Sequence, residues 1–154
     1  MTELTLARIH NHRRIDASLC TSGQPSEAQL RDIAEAGFNA VINLGLHNDP
    51  RYSLIDEPSV VRSLGMTYVH IPVQFSAPRE ADLLAFFAAM QAHEGRTVWI
   101  HCAANMRVSA FLGLYRMVKQ GWDRASAFAL MEGLWQPNEV WSSFIEAMLA
   151  KHRH

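Results

Sequence analysis

The chain has 154 residues, of which 49% are hydrophobic and 19% are charged. These values predict one folded domain over residues 1–154 and exclude an intrinsically disordered protein. Because 14 Lys and Arg residues nearly balance 15 Asp and Glu residues, no charge excess drives binding to nucleic acid or to an anionic membrane. The sequence contains two cysteines, an N-terminus without signal-peptide character and no apolar run of bilayer length, so we expect a cytoplasmic protein.

Helix and strand patterns alternate along the chain. The first helix begins at a capping box formed by Ser26 and Gln29 and ends at Gly37. In chain order the pattern predicts a helix over 26–36, a strand over 38–44, a helix over 57–64, a strand over 66–73, a helix over 79–92, a strand over 97–101, a helix that carries 108–118 and ends at Gly121, and helices over 124–134 and 139–151. Alternation of this kind predicts an α/β fold with a central, mainly parallel sheet of four to five strands flanked by helices.

A possible reaction centre follows the strand over 97–101. The carboxyl ends of parallel strands share one edge of the sheet, and ligands of such sheets bind there. Cys102 stands at that edge and is followed by a turn of small residues and a helix. Backbone N–H groups in such a turn can converge on an anion, and a thiol there is expected to ionise readily and act as a nucleophile. The guanidinium of Arg107 can bind two oxygens of a tetrahedral oxyanion.

These residues resemble the H-C-x5-R-[ST] signature of the cysteine-dependent protein tyrosine and dual-specificity phosphatases. His101 and Cys102 match its first two positions, and Ser109 stands at its hydroxyl position. Only four residues separate Cys102 from Arg107, so Val108 occupies the usual arginine position. Over most of residues 18–118 the chain is also similar to a bacterial phosphatase-like subgroup known as domain of unknown function 442. That similarity is carried by the Cys102 loop and by Thr21–Ser26, Val41–Leu44 and Gly65–Val73.

The resemblance implies a phosphatase-like domain that hydrolyses a phosphate monoester through a phosphocysteine, without a metal or a cofactor. Cys102 would attack phosphorus, Arg107 would hold the phosphate oxygens, and Ser109 would help the sulfur leave. His101 would be a secondary residue that supports the thiolate. The predicted phosphate-binding residues are Ala103, Ala104, Asn105, Met106, Arg107 and Val108. The partner that this mechanism predicts is a phosphorylated protein or a phosphorylated small molecule, with no nucleic acid and no membrane.

The resemblance also requires an acid that protonates the leaving oxygen, a contribution worth typically 10²–10⁴-fold in rate. The family uses an aspartate for this step. Gln74 stands where we expect that residue, and Asp82 is the nearest substitute. Asp82 also suits the first turn of its helix, where a carboxylate interacts favourably with the helix dipole.

Two other functions stay open, each from a different class. A non-catalytic module would keep the anion-binding loop without turnover, and a rhodanese-like sulfurtransferase would carry a persulfide on Cys102. Plainer interpretations also exist for single residues: Cys102 as a small buried hydrophobe, His101 as a core histidine, Arg107 as a partner in a surface ion pair, and Asn105 as a left-handed turn residue.

The remaining polar and aromatic candidates are assigned structural roles. Cys20 is expected to be a buried structural thiol. His10, His12, His152 and His154 have no third and fourth ligand that would complete a zinc site. The four tryptophans, Trp99, Trp122, Trp135 and Trp141, are predicted to lie in the core or between helices.

Overall fold

A computed structural model describes residues 5–48, 51 and 53–152. Its centre is a five-stranded sheet with the strand order β1-β2-β5-β3-β4. The strands are β1 (Arg13–Asp16), β2 (Leu19–Ser22), β3 (Ala40–Asn43), β4 (Thr67–His70) and β5 (Val98–His101). Strand β1 pairs antiparallel with β2, whereas the other pairs are parallel. The predicted α/β fold with a mainly parallel sheet is therefore confirmed.

Six α-helices and one 3₁₀ turn complete the described part of the fold. They are α1 (Glu27–Glu35), α2 (Glu57–Ser63), α3 (Glu80–Ala92), α4 (Met106–Gln120), α5 (Arg124–Ala127), the 3₁₀ turn Ala129–Met131, and α6 (Glu139–His152). The predicted capping box of α1 is present. The amide of Gln29 donates to Ser26 Oγ, and the Gln29 side chain accepts from the Ser26 amide. A local sequence signal therefore sets where this helix begins.

Apolar side chains cover both faces of the sheet. In β5, Val98 and Ile100 belong to the apolar cluster beneath α3, α4 and α6, whereas Trp99 belongs to the cluster beneath α1 and α2. Successive side chains of a strand point to opposite faces. A strand that is covered on both faces therefore needs an unbroken apolar run, which is why β3 and β5 were visible in the sequence.

The structure corrects the prediction of one helix over 124–134. The segment divides at Phe128 into α5 and the 3₁₀ turn. The Phe128 ring packs directly over Gly113 of α4, where a Cβ atom would lie 2.3 Å from ring carbons. The packing of this ring on α4 interrupts the helix over 124–134 at Phe128. The interruption follows from a tertiary contact and has no local signal in the sequence.

The predicted strand over 66–73 is shorter in the structure, and two strands were not located from the sequence. Strand β4 ends at His70, although the amides of Ile71 and Val73 still donate to carbonyls of the β3 segment. Pro72 between them has no N–H to continue the ladder. Strands β1 and β2 have four residues each and mixed polarity. Such segments carry little periodic signal.

Five of the structural roles assigned to single residues can be compared with the fold. Cys20, Trp99 and Trp141 are fully buried and Trp135 packs against the core, as predicted. Trp122 is 39% exposed, and the Arg116 guanidinium lies 4.2 Å from its ring centroid, so this tryptophan does not belong to the core. Among the described residues, no helix is both long and apolar enough to cross a membrane.

Candidate active site

The turn between β5 and α4 forms the floor of a cavity with a volume of about 740 Å³. Cys102 is only 1% exposed but lines the cavity, and Arg107 lines it as well. The fold thus brings the predicted nucleophile and the predicted anion-binding cation to one space, although only four residues separate them.

The cavity wall has a chemical bias toward anions. Its described lining residues are His10, Gln24, Pro25, Ser26, Gln29, Arg51, Ser53, Leu54, Phe75, Cys102, Ala103, Ala104, Met106 and Arg107. None of these is Asp or Glu, while two are arginines. The net charge of the chain is near zero, so any preference for anions must be local. Two arginines and no acidic residue among the described lining residues favour a negatively charged ligand in this cavity.

Hydrogen bonds from the N-terminal part of the fold hold the Cys102 turn in place. The Gln24 amide donates to the Ala103 carbonyl at 3.0 Å, and the Asn11 side chain donates to the Ala104 carbonyl at 3.0 Å. Gly23 permits this close approach, because a Cβ atom at that position would lie 2.5 Å from the Ala103 oxygen. The segment after β2 therefore supports the turn from one side.

Asn105 stabilises the turn from beneath. Its φ angle of 67° lies in the left-handed region, as the sequence predicted for this residue. Its side chain is fully buried and donates to the Asn11 carbonyl and to Thr21 Oγ1, each at 2.9 Å. Of the predicted phosphate-binding residues, Ala103, Ala104, Met106 and Arg107 line the cavity, whereas Asn105 and Val108 are buried behind it.

The guanidinium of Arg107 is oriented by the chain that follows β4. Its Nη1 donates to the Val73 carbonyl at 2.7 Å, and the residue is 8% exposed. A guanidinium has five N–H donors, so one contact positions it and leaves others for a ligand. Arg107 also lines a smaller cavity of about 330 Å³, which shares Phe75 and Ala103 with the larger one.

His101 and Glu57 form a fully buried pair beneath Cys102. His101 Nε2 lies 2.5 Å from Glu57 Oε2, and His101 Nδ1 lies 3.3 Å from the Cys102 carbonyl oxygen. Gln24 donates to the other carboxylate oxygen at 2.6 Å. Both ring nitrogens face acceptors, so both contacts are satisfied together when both nitrogens carry protons.

Electrostatics favour an ionised carboxylate in this pair. Burial by itself raises the pKa of Glu57, but the charge of His101 and the hydrogen bonds from His101 and Gln24 outweigh it. The net result is a pKa of Glu57 below its usual range. A carboxylate, an imidazole and the floor of the cavity are thus linked in one hydrogen-bonded unit.

The structure does not bring Asp82 or Ser109 to the cavity wall. The Asp82 carboxylate accepts from the Arg79 guanidinium at 2.9 Å in the first turn of α3. The Ser109 hydroxyl donates to the Met106 carbonyl at 2.7 Å and accepts from the Trp135 indole. A hydroxyl has one proton to donate, and in this arrangement that proton is used in the bond to the Met106 carbonyl.

Several residues of the site were missed by the sequence analysis. Glu57 resembled an ordinary acidic residue at a helix start, and nothing nearby in the chain indicated its burial. Phe75 lines both cavities, and its carbonyl accepts from the Trp141 indole at 2.7 Å. His10 and Gln24 reach the cavity from segments far from Cys102 in the chain. The family resemblance includes Gln24 but predicts no role for it in the site.

A central parallel strand that leads through a cysteine turn into an arginine-bearing helix defines the class of protein tyrosine phosphatase-like α/β proteins. A family model described as "DSP-PTPase phosphatase fused to NAD+ Kinase" matches residues 5–140. The chain belongs to this family.

Solved structures agree with this class. A DUF442 candidate phosphatase from Shewanella putrefaciens CN-32 is 35% identical, superposes with a TM-score of 0.86, and aligns over 98% of this chain and 99% of its own. The P. aeruginosa protein TpbA is 20% identical with a TM-score of 0.71, over 90% of this chain and 84% of its own. The second likeness shows the shared fold.

Among curated proteins, a "Beta-lactamase hydrolase-like protein" from Xylella fastidiosa (strain Temecula1) is 30% identical over 118 residues. The match covers 75% of this chain and 27% of that protein. The chain thus spans about a quarter of the length of the curated relatives that it matches.

Proposed function

We propose that this protein hydrolyses a phosphate monoester through a covalent phosphocysteine at Cys102. The observation that carries the proposal is the shared cavity, which Cys102 and Arg107 both line and which has no acidic residue among its described lining residues. A nucleophile and a fixed cation in one cavity, with no carboxylate among the described wall residues, suit an attack on a dianionic phosphate. Membership of a phosphatase family supports the same chemistry.

The proposed reaction has two displacements at phosphorus. In the first, the sulfur electron pair of the Cys102 thiolate forms the S–P bond, while the ester P–O bond breaks and its electrons stay on the leaving oxygen. In the second, water attacks phosphorus and the S–P bond breaks, which returns the thiolate and releases inorganic phosphate. Arg107 and the amides of the Cys102 turn hold the three non-bridging oxygens throughout.

The size and walls of the cavity support a substrate with an organic group beside the phosphate. A volume of about 740 Å³ accommodates a small molecule or a side chain. Pro25, Leu54, Phe75 and Met106 supply apolar wall next to the polar floor. The related fold of TpbA has been solved with pTyr, which supports a phosphorylated protein or small molecule as the substrate here.

Hydrolysis of p-nitrophenyl phosphate tests the proposal. We expect steady turnover by the wild-type protein, loss of turnover in Cys102→Ser, and no effect of a chelator. Cys20→Ser is the matched control, because Cys20 lies in β2 and does not line the cavity. Turnover that survives in Cys102→Ser would refute the mechanism. Phosphate binding without turnover would instead indicate an anion-binding module, and thiocyanate formation from thiosulfate and cyanide would indicate a sulfurtransferase.

A further inference from the structure

The proposed mechanism needs a proton donor for the leaving oxygen, and the described cavity walls limit the candidates. Neither the larger nor the smaller cavity has Asp or Glu among its described lining residues. Gln74 lines the smaller cavity, but an amide does not act as an acid. Arginine cannot be deprotonated in proteins, which excludes Arg51 and Arg107. Of the described wall residues other than the nucleophile, only His10 has an imidazole, the side chain that most often serves as a general acid and base.

We propose that His10 is the catalytic acid and base of the phosphatase reaction, which makes this inference dependent on the proposed function. In the first displacement the His10 imidazolium gives its proton to the leaving oxygen as the ester P–O bond breaks. The neutral imidazole then accepts a proton from the water that attacks the phosphocysteine. The cycle ends with His10 protonated again and the Cys102 thiolate restored, so protons balance without any further reactant.

The packing of His10 places its ring beside the Cys102 turn. A Cβ atom on Gly23 would lie 2.6 Å from His10 Cδ2 and 2.5 Å from the Ala103 carbonyl oxygen. The imidazole and the carbonyl of the residue after the nucleophile thus both lie within 2.6 Å of the position that a Gly23 methyl group would take. The backbone is held as well, since the Gly23 amide donates to the His10 carbonyl at 2.7 Å. His10 therefore lies on the wall of the cavity that Cys102 also lines, close to the residue that follows the nucleophile.

His10 is accessible to a ligand in the cavity, because the residue is exposed and lines the larger cavity. Asp82, the acid expected from the sequence, is instead paired with Arg79 and lines neither cavity. A mobile proton near the leaving group thus comes from the N-terminal segment in this chain, and not from the loop after β4.

The test compares two esters that differ in how much they need an acid. Nitrophenolate leaves without protonation, whereas phenolate is a stronger base and leaves faster when it is protonated. We expect His10→Gln to reduce kcat/KM for phenyl phosphate about 10²-fold or more, and to change kcat/KM for p-nitrophenyl phosphate only a few-fold. External imidazole should restore part of the phenyl phosphate activity of His10→Ala, a response that a structural role would not produce.

Matched controls separate the possible outcomes. His152→Gln makes the same change on α6, where His152 forms a hydrogen bond with Glu80 and does not line the cavity. This variant should leave kcat/KM for both esters unchanged. Equal losses on both esters in His10→Gln, or no loss on either, would overturn the inference while leaving Cys102 catalysis intact. The selective loss appearing instead in Asp82→Asn or in Asp49→Asn, the latter outside the described residues, would overturn it too. A wild-type protein that hydrolyses neither ester would remove the proposed function itself.

Discussion

Replacement of Glu57 by Gln perturbs the buried pair beneath the cavity while keeping the shape of the side chain. Glu57 and His101 are both fully buried and lie 2.5 Å apart. Removing one partner of a buried ion pair costs about 3–5 kcal/mol, because the other charge is left without compensation. Since an amide still forms hydrogen bonds, we expect the lower end, about 3 kcal/mol. For a domain of this size that loss lowers Tm by about 6–12 °C.

The effect should depend on pH with a defined sign. The pKa of Glu57 is lower in the folded protein than its ordinary value of 4.5. The ionised carboxylate therefore stabilises the fold fully above pH 4.5, and this stabilisation is lost as the pH falls through the folded-state pKa. The difference between wild type and Glu57→Gln should be largest at neutral pH and should narrow below pH 4.5.

Urea unfolding followed by tryptophan fluorescence measures this difference at each pH. Glu27→Gln is the control, because Glu27 forms an exposed pair with Arg31 at 2.8 Å, and such pairs contribute about 0.2–1 kcal/mol. If Glu57→Gln costs no more than Glu27→Gln at neutral pH, or if its cost grows in acid, the interpretation of Glu57 and His101 as an ion pair is wrong.

Three further substitutions probe the walls of the cavity. Gly23→Ala places a methyl group 2.5 Å from the Ala103 oxygen, so we expect the Cys102 turn to shift and kcat for p-nitrophenyl phosphate to fall about 10²-fold; unchanged kinetics would contradict this. Arg107→Lys keeps the charge but loses the planar fork, and kcat should fall about 10²-fold while Tm changes little. Trp141→Phe removes the 2.7 Å hydrogen bond to the Phe75 carbonyl; unfolding should show a loss of about 1 kcal/mol, and KM should rise, whereas a loss of kcat alone would oppose a role in shaping the wall.

Local signals in the sequence were sufficient for the elements next to the candidate site. The capping box at Ser26 and the apolar run before Cys102 gave α1 and β5 to within a residue or so. Those signals depend on short-range hydrogen bonding and on burial of both faces of the sheet. The prediction of one helix over 124–134 was wrong because the structure of this segment depends on a long-range contact. Phe128 and Gly113, which meet in the structure, are distant in the chain.

The residues of the candidate site also fall into two groups, those that local sequence signals identified and those that only the structure revealed. Cys102 and Arg107 were found because they lie in one short segment whose strand, turn and helix are visible in the sequence. Phe75 and His10 were assigned no site role, since each reaches the cavity from a different part of the chain. Glu57 was missed because its contact with His101, beneath the cavity, joins positions that are distant in the chain. Asp82 was expected to be the acid from its position in the chain. In the structure its carboxylate pairs with Arg79 and does not line the cavity.

By itself the sequence determined the alternation of helices and strands, and with it the strand edge at which Cys102 stands, because those features follow from periodicity and from the geometry of parallel sheets. Only the tertiary structure decided that the Arg107 guanidinium shares a cavity with Cys102 and that a buried His101–Glu57 pair lies beneath it. The physical reason is range: periodicity acts within one element, whereas a cavity is defined by side chains that long-range packing brings together.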